Sequence, residues 1–160
     1  MNRVKIHPRR GTHLTTLIRA VRATTGPILE FGAGLYSTPF LHAISEIDRR
    51  PLVTYENSEG FHEWASHFAT DLHRVELVTD WDALDLSSPC SVAFIDHAPG
   101  DRRQKEMARL LHAEYVVAHD IIKNIGRTYE EIYPLFTYRR KNRRQNTVAL
   151  SNLHPLNNLW

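Results

Sequence analysis

Ile28-Leu29-Glu30-Phe31-Gly32-Ala33-Gly34-Leu35-Tyr36-Ser37-Thr38-Pro39 decides how the chain is read. An apolar run ends in a carboxylate, two glycines follow at alternate positions, and Ser-Thr-Pro opens the next segment. Strand, tight turn and helix N-terminus is the conformation this order predicts. Glycine at 32 and 34 lets backbone pass close to a ligand, and the free N–H groups of the following helix point to the same spot. The stretch is therefore read as ligand-binding architecture.

Composition sets the frame around it. A chain of 160 residues is expected to form one domain, burying roughly two thirds of its unfolded surface. Its hydrophobic fraction of 42% and charged fraction of 24% are those of an ordinary globular protein, and no apolar run nears the roughly 20 residues of a membrane span. The basic start, Met1 to Arg10, lacks a following secretory core, so a cytoplasmic location is the expectation. Cys90 is the only cysteine, which excludes an internal disulfide and a thiolate cage, and it opens an apolar run as a small core residue would. A net charge of +2 does not by itself imply nucleic acid; the positive charge gathers in Arg139-Arg140-Lys141-Asn142-Arg143-Arg144.

Outward from the opening stretch, strand and helix patterns alternate. Leu14, Leu17, Ile18 and Val21 have helical spacing within Thr12–Thr25, before a Gly26-Pro27 stop. After the strand Pro27–Phe31, a helix over Thr38–Ile47 is predicted, capped by Ser37 or Thr38. The strand Leu52–Glu56 leads through Asn57-Ser58 into a helix carrying Phe61, Trp64, Ala65 and Phe68, aromatics read as core packing. Arg74–Val78 is a third strand, Cys90–Ile95 a fourth, Asp101–His112 a helix and Tyr115–Ala118 a fifth strand. A helical stretch near Arg127–Tyr133 ends at Pro134, and the short runs Leu135–Tyr138 and Thr147–Ser151 flank the basic segment as a hairpin with a long loop. Trp160 closes a tail and is expected to pack on a surface groove. Such alternation builds a parallel sheet with helices on both faces and right-handed crossovers, with an antiparallel strand at one edge.

In an open parallel sheet the ligand crevice lies outside the carboxyl ends of the strands. Glu30, Glu56, Asp96 and Asp120 stand at four such ends, and Asp80 lies in the turn after the third strand. Like charges on one rim are costly unless a cation or hydrogen-bond donors meet them.

Glu30-Phe31-Gly32-Ala33-Gly34, Glu56, Asp80-Trp81 and Asp96, in that order at successive strand ends, resemble the class I S-adenosylmethionine-dependent methyltransferases from about Ile28 to Ser151. The resemblance implies an α/β, three-layer Rossmann-like fold whose mostly parallel seven-stranded sheet ends in an antiparallel strand. It also implies S-adenosylmethionine as cofactor, held by Glu30, Gly32, Gly34, Ser37, Glu56, Asn57, Asp80, Trp81 and Asp96. Glu56 follows Gly34 by roughly twenty residues, the spacing at which a nucleotide-binding unit presents a carboxylate to ribose. NAD would suit that spacing too, which keeps an NAD-dependent oxidoreductase as a rival. Glu30 is expected to face the cationic amino-acid end of the cofactor, where a pyrophosphate would be repelled, and Asp80 with Trp81 suits an adenine. The chain departs from the family at Tyr36, where a third small residue is common.

Methyl transfer is an in-line displacement, so alignment of the acceptor can supply roughly 7–11 kcal/mol. Asp96 and His97 are the catalytic candidates, His97 as general base to an oxygen acceptor, with His119 and Asp120 beside them. Phe94-Ile95-Asp96-His97 and Val116-Val117-Ala118-His119-Asp120 are similar to catechol-type O-methyltransferases, which hold magnesium between an aspartate and an Asp-Asn pair. Ile121 stands where that Asn would be, so no complete magnesium site is evident; Asp96 and Asp120 are its remaining candidates, with Asn124 as a substitute ligand. Arg139, Arg140, Lys141, Arg143 and Arg144, with Arg102 and Arg103, suggest an anionic acceptor or, in a non-catalytic module, RNA. The acceptor pocket would be built from the N-terminal segment and loops, or across a homodimer.

Overall fold

A computed structural model describes residues 8–121 and 129–159. After a 3₁₀ turn at Pro8–Gly11 come α1 (Leu14–Arg22), β1 (Ile28–Phe31), α2 (Ser37–Asp48), β2 (Leu52–Glu56) and α3 (Glu59–Ser66). They are followed by β3 (His73–Leu77), β4 (Val92–Ile95), α4 (Arg103–Arg109), β5 (Tyr115–Ala118), β6 (Tyr138–Asn142) and β7 (Thr147–Ser151). The seven strands lie in the order β3-β2-β1-β4-β5-β7-β6. β1 to β5 are parallel, β7 runs antiparallel between β5 and β6, and so the seven-stranded, mostly parallel sheet with an antiparallel last strand is what the chain forms. Strand order reverses between β1 and β4, which puts the crevice at their carboxyl ends.

Two apolar layers cover the sheet. Leu17, Ala20 and Val21 of α1 and Leu41 of α2 pack on Ile28, Leu52, Val92, Phe94 and Val117. Met107 and Leu110 pack on Phe31, Tyr55, Ile95, Val116 and Ala118 on the opposite face. Because side chains alternate along a strand, the residues just past each strand end inherit a face. Phe94 sends Asp96 to the α1 side, and Ile95 sends His97 to the α4 side.

Several expectations are corrected here. The basic segment is not a long loop: Arg139, Arg140 and Lys141 belong to edge strand β6, and only residues 143–146 form the turn. Charged side chains on an exposed strand edge discourage pairing with a second sheet. Neither Ser37 nor Thr38 stands at the cap of α2; that position is Tyr36, whose side chain makes no capping bond, and both hydroxyl residues are buried inside the first turn. Of the helical stretch near Arg127–Tyr133, only the end is described, where Tyr133–Leu135 is a 3₁₀ turn. Asn124 and Trp160 lie outside the described residues.

Arg50 was not singled out by the sequence, yet it is 3% exposed and donates to the carbonyls of Val21, Thr24 and Gly26. Its fork holds the α1–β1 connection by binding three of its carbonyls at once.

Gly32 is fixed by close approach. Its φ is +92°, and a β-carbon there would come within 2.6 Å of the His97 Cα and 2.9 Å of the Asp96 carbonyl carbon. At Gly34 the only near contact would be the Ser37 hydroxyl, at 2.9 Å, which can rotate away. Gly32→Ala is therefore expected to cost about 2 kcal/mol or more and Gly34→Ala less than about 1 kcal/mol, read from urea midpoints of the two variants.

Candidate functional site

A cleft of about 450 Å³ opens at the strand-order reversal, lined among others by His13, Gly34, Tyr36, Asp96, His119 and Asp120. Each lining group arrives for a local reason. Gly34 and Tyr36 come from the β1–α2 turn, Asp96 from the end of β4, and His119 and Asp120 from the end of β5. His13 stands immediately before α1, and its ring packs on Phe94 with centroids 4.6 Å apart. The Tyr36 ring lies over the N-terminal turn, where a β-carbon on Gly11 would approach it to 3.0 Å.

Arg103 organises the rim. It is 5% exposed, and its guanidinium donates to the carbonyls of Asp96 (2.8 Å), His97 (2.7 Å) and His119 (3.1 Å). The same group pairs with Asp96 Oδ1 at 2.8 Å. The ends of β4 and β5 are thus tied by one side chain, and Arg103 is no free cation for an acceptor. Arg102 is likewise engaged, with Asp82 at 2.5 Å and Glu106 at 3.0 Å.

Asp96 faces the cleft. Burial pushes its carboxyl up, but the hydrogen bond with His119 and the nearby Arg103 charge outweigh that and hold it below the usual carboxylate range. His119 Nδ1 is 3.2 Å from Asp96 Oδ2, and its Nε2 is 3.0 Å from the Thr12 hydroxyl. His13 is 3% exposed, and among the described residues neither ring nitrogen has a hydrogen-bond partner. Burial and the adjacent His119 lower it to about 4, so it is a neutral imidazole.

His97 does not join this group. It is 1% exposed on the other face, its ring 4.2 Å from that of Trp81 and its Nε2 3.1 Å from Glu106 Oε2, off the line of a hydrogen bond. The parity of β4 puts it there. His119 occupies the position that sequence reasoning gave to His97. Trp81 is also on the α4 side, 6% exposed and stacked on Phe31, so it covers no adenine in this arrangement. Asp80 is exposed and caps the turn through Asp82 N at 2.9 Å; Asn57 is exposed beyond β2.

Glu30 does not line the cleft. It has no exposure and accepts from Thr54 at 2.7 Å and Thr38 at 2.9 Å, and Thr38 in turn accepts from the Gly34 amide at 2.9 Å. Ser37 adds a further bond. The carboxylate therefore braces the glycine turn from beneath. Glu56 grips it from the side, accepting from Ala33 N at 2.7 Å and Ser58 N at 2.6 Å. Two oxygens offer about four acceptor directions, so Glu56 retains capacity for a ribose.

At the end of the sheet, Arg139 donates to the Tyr133 carbonyl at 3.0 Å, and Lys141 sits 4.3 Å over the Tyr133 ring and 3.4 Å from Glu130. Arg143 and Arg144 are exposed on the turn whose Asn146 lines the cleft.

No family model matches the chain, and no curated protein matches it. Solved structures do. The N-terminal domain of human METTL16 in complex with SAH superposes with a TM-score of 0.64 at 12% identity, over 95% of this chain and 73% of that one. The O-methyltransferase from Bacillus cereus in complex with SAH gives 0.60 at 18% identity, over 92% and 82%. N-methyltransferase NodS from Bradyrhizobium japonicum WM9, with S-adenosyl-L-homocysteine, gives 0.61 at 10% identity, over 90% and 86%. The chain has the class I methyltransferase fold.

Burial raises Glu30 to about 7, its hydroxyl partners offsetting part of the effect. The folded state then holds a proton that the unfolded chain releases near 4.5, so this contribution is full below pH 4.5 and lost as pH rises through 7. Relative to Glu30→Gln, the wild type is expected to lose on the order of 3 kcal/mol between those limits and to run parallel outside them, as measured by urea unfolding at each pH.

Proposed function

We propose that the protein is an S-adenosylmethionine-dependent methyltransferase acting on oxygen. The observation that carries the reading is the convergence of the glycine turn and the Asp96–His119 pair on one cleft, with Glu56, outside that lining, held against the turn at Ala33 N. The cleft volume of about 450 Å³ lies in the range that holds ligands of cofactor size. In this reading Glu56 accepts from the ribose hydroxyls, exposed Asp80 and Asn57 serve the adenosine end, and the turn at Gly32, Gly34 and Ser37 shapes the methionine end.

Bound there, the cofactor supplies an electrophilic methyl group. The chain supplies position and charge. Asp96 and His119 meet the acceptor at the open end of β4 and β5, restrain its hydroxyl and lie within reach of its proton, while Tyr36 and Phe61 wall the cleft against water. An oxygen acceptor is favoured because its proton must leave during transfer, and the acceptor end of the cleft is built from proton-accepting groups.

A dinucleotide fits less well. The amides of Ala33 and Gly34, which a pyrophosphate would need, are taken by Glu56 and Thr38. An anionic acceptor remains part of the proposal, now resting on Arg10 at the cleft and on exposed Arg143 and Arg144, since Arg102 and Arg103 are paired internally. We place the reaction in the cytoplasm. Among the described residues no helix is long and apolar enough to cross a membrane.

Calorimetry with S-adenosylhomocysteine tests the cofactor directly. Saturable binding is expected, weakened at least about tenfold by Glu56→Ala, as loss of charge-assisted ribose bonds implies. Asp96→Ala should instead lower turnover of labelled methyl groups by at least about a hundredfold. Absence of binding heat, with salt-sensitive RNA binding in its place, would overturn the enzyme reading.

A further inference from the structure

Outside the cofactor-binding turn, the buried cluster at the acceptor end of the cleft has unmet chemistry. His13, Asp96 and His119 each offer one ligand atom, and those atoms lie within 4.8 Å of one another. The three come from the start of α1, the end of β4 and the end of β5. Nothing in the apolar core requires that two imidazoles and a carboxylate meet there.

Hydrogen positions around His119 follow from its neighbours. The Thr12 hydroxyl donates to the Gln145 carbonyl at 3.0 Å, so it accepts from His119 Nε2–H. The other ring nitrogen, Nδ1, then faces Asp96 Oδ2 at 3.2 Å and Asp120 Oδ1 at 3.6 Å. In a neutral imidazole that nitrogen is a lone pair aimed at two carboxylates, which is repulsive unless a cation lies between. A second proton on Nδ1, which makes the Asp96–His119 hydrogen bond described above, satisfies this pair alone. It leaves both nitrogens of His13, 97% buried beside it, without a partner among the described residues, and buried polar atoms without partners are rare.

The geometry points to a divalent transition-metal site held by His13, Asp96 Oδ2 and His119 Nδ1, with its open positions facing the cleft. The remaining partners fit that role. Thr12 accepts from the distal N–H of His119, as an outer partner of a metal-bound histidine does, and Arg103 holds Asp96 through the other carboxylate oxygen at 2.8 Å. Metal–nitrogen bonds of roughly 2.0–2.1 Å put tetrahedral ligand atoms roughly 3.3 Å apart, so binding requires the ligand atoms to draw together from their present spread of up to 4.8 Å. Two imidazole nitrogens and one carboxylate select zinc, cobalt, iron or manganese over magnesium, whose preference is for oxygen alone. The site therefore differs from the oxygen-ligand magnesium site that the sequence resemblance brought to mind and that Ile121 leaves incomplete.

Its catalytic consequence rests on the methyltransferase reading. An acceptor hydroxyl entering an open position would bind as the alkoxide, its proton passing to solvent or to Asp120, and the alkoxide oxygen would then take the methyl group as the carbon–sulfur bond breaks. The products are the methyl ether and the neutral thioether.

The full chain, stripped with a chelator and dialysed, is titrated with Co²⁺ followed by visible absorption and with Zn²⁺ followed by calorimetry. One equivalent should bind, with cobalt d–d bands, and affinity should fall at least tenfold in His13→Gln and in His119→Gln, while exposed His67→Gln binds as the wild type does. Circular dichroism of the metal-free variants checks folding; where His13→Gln does not fold, Asp96→Asn takes its place with the same expected loss. No stoichiometric binding, undiminished binding in the site variants, or Mg²⁺ bound more tightly than Zn²⁺ would overturn the inference. S-adenosylhomocysteine calorimetry on the same metal-free sample separates the two proposals: cofactor heat without metal binding removes only the metal, and metal binding without cofactor heat removes only the methyltransferase.

Discussion

The site depends on one steric constraint, the passage of the Gly32 turn against the backbone of Asp96 and His97. β1 and β4 are neighbours in the sheet, and β1 ends by turning across the end of β4 with no room for a β-carbon. The positive φ at Gly32 directs the chain into α2, and the contact fixes where the β4 backbone stops being extended. The arrangement at the ends of β4 and β5 follows from that stop. Asp96 is held on the α1 side, within reach of His119, and Arg103 locks the arrangement through three carbonyls and one carboxylate oxygen. A glycine that sequence reasoning assigned to ligand approach thus serves first to let two strand ends cross.

Four of the rim carboxylates are answered by different donor sets, which is how the sheet tolerates them, while Asp120 shares Arg103 and His119 with Asp96 at 3.7 and 3.6 Å. Glu30 is sunk beneath the turn among hydroxyls, Glu56 takes two backbone amides, Asp96 takes Arg103 and His119, and Asp80 is solvated and caps a short turn. Their shared position in the pattern therefore hides a division of labour. Glu30 and Glu56 stiffen the glycine turn from two sides, and that stiffness limits what the turn can bind: with the Ala33 and Gly34 amides engaged, it offers shape and a carboxylate rather than a nest of free N–H groups.

The sheet, its acidic ends and the limits of β1 to β5 and β7, to within two residues, were legible in the sequence because each rests on local pattern: apolar runs, glycine placement and helical spacing. What was not legible falls into two kinds. Trp81 and His97 were misplaced although period-two alternation from Phe94 and Ile95 already sends His97 away from Asp96; the signal was present and a motif outweighed it. Arg50, Arg103 and His13 are of the second kind. Their partners are chosen by tertiary packing, as when Thr12 meets His119 across 107 positions of sequence, and no local period reports such a meeting. The basic segment failed for a related reason, since an edge strand can be all charge and so looks like a loop.

The meeting of the N-terminal turn with the far end of the sheet also closes one side of the cleft. Thr12 and Thr16 bond the Gln145 carbonyl and side chain, and Ile121 N bonds the Asn146 carbonyl, so the β6–β7 turn is stitched both to α1 and to the end of β5. The start of α1 and the β6–β7 turn grip each other beside His119. Gln145 joins them through its backbone and its side chain at once. Charge on that turn, at Arg143 and Arg144, is therefore carried on a segment whose position is set by the same bonds that orient the His119 ring. The charge of that turn and the His119 ring thus belong to one connected piece of structure.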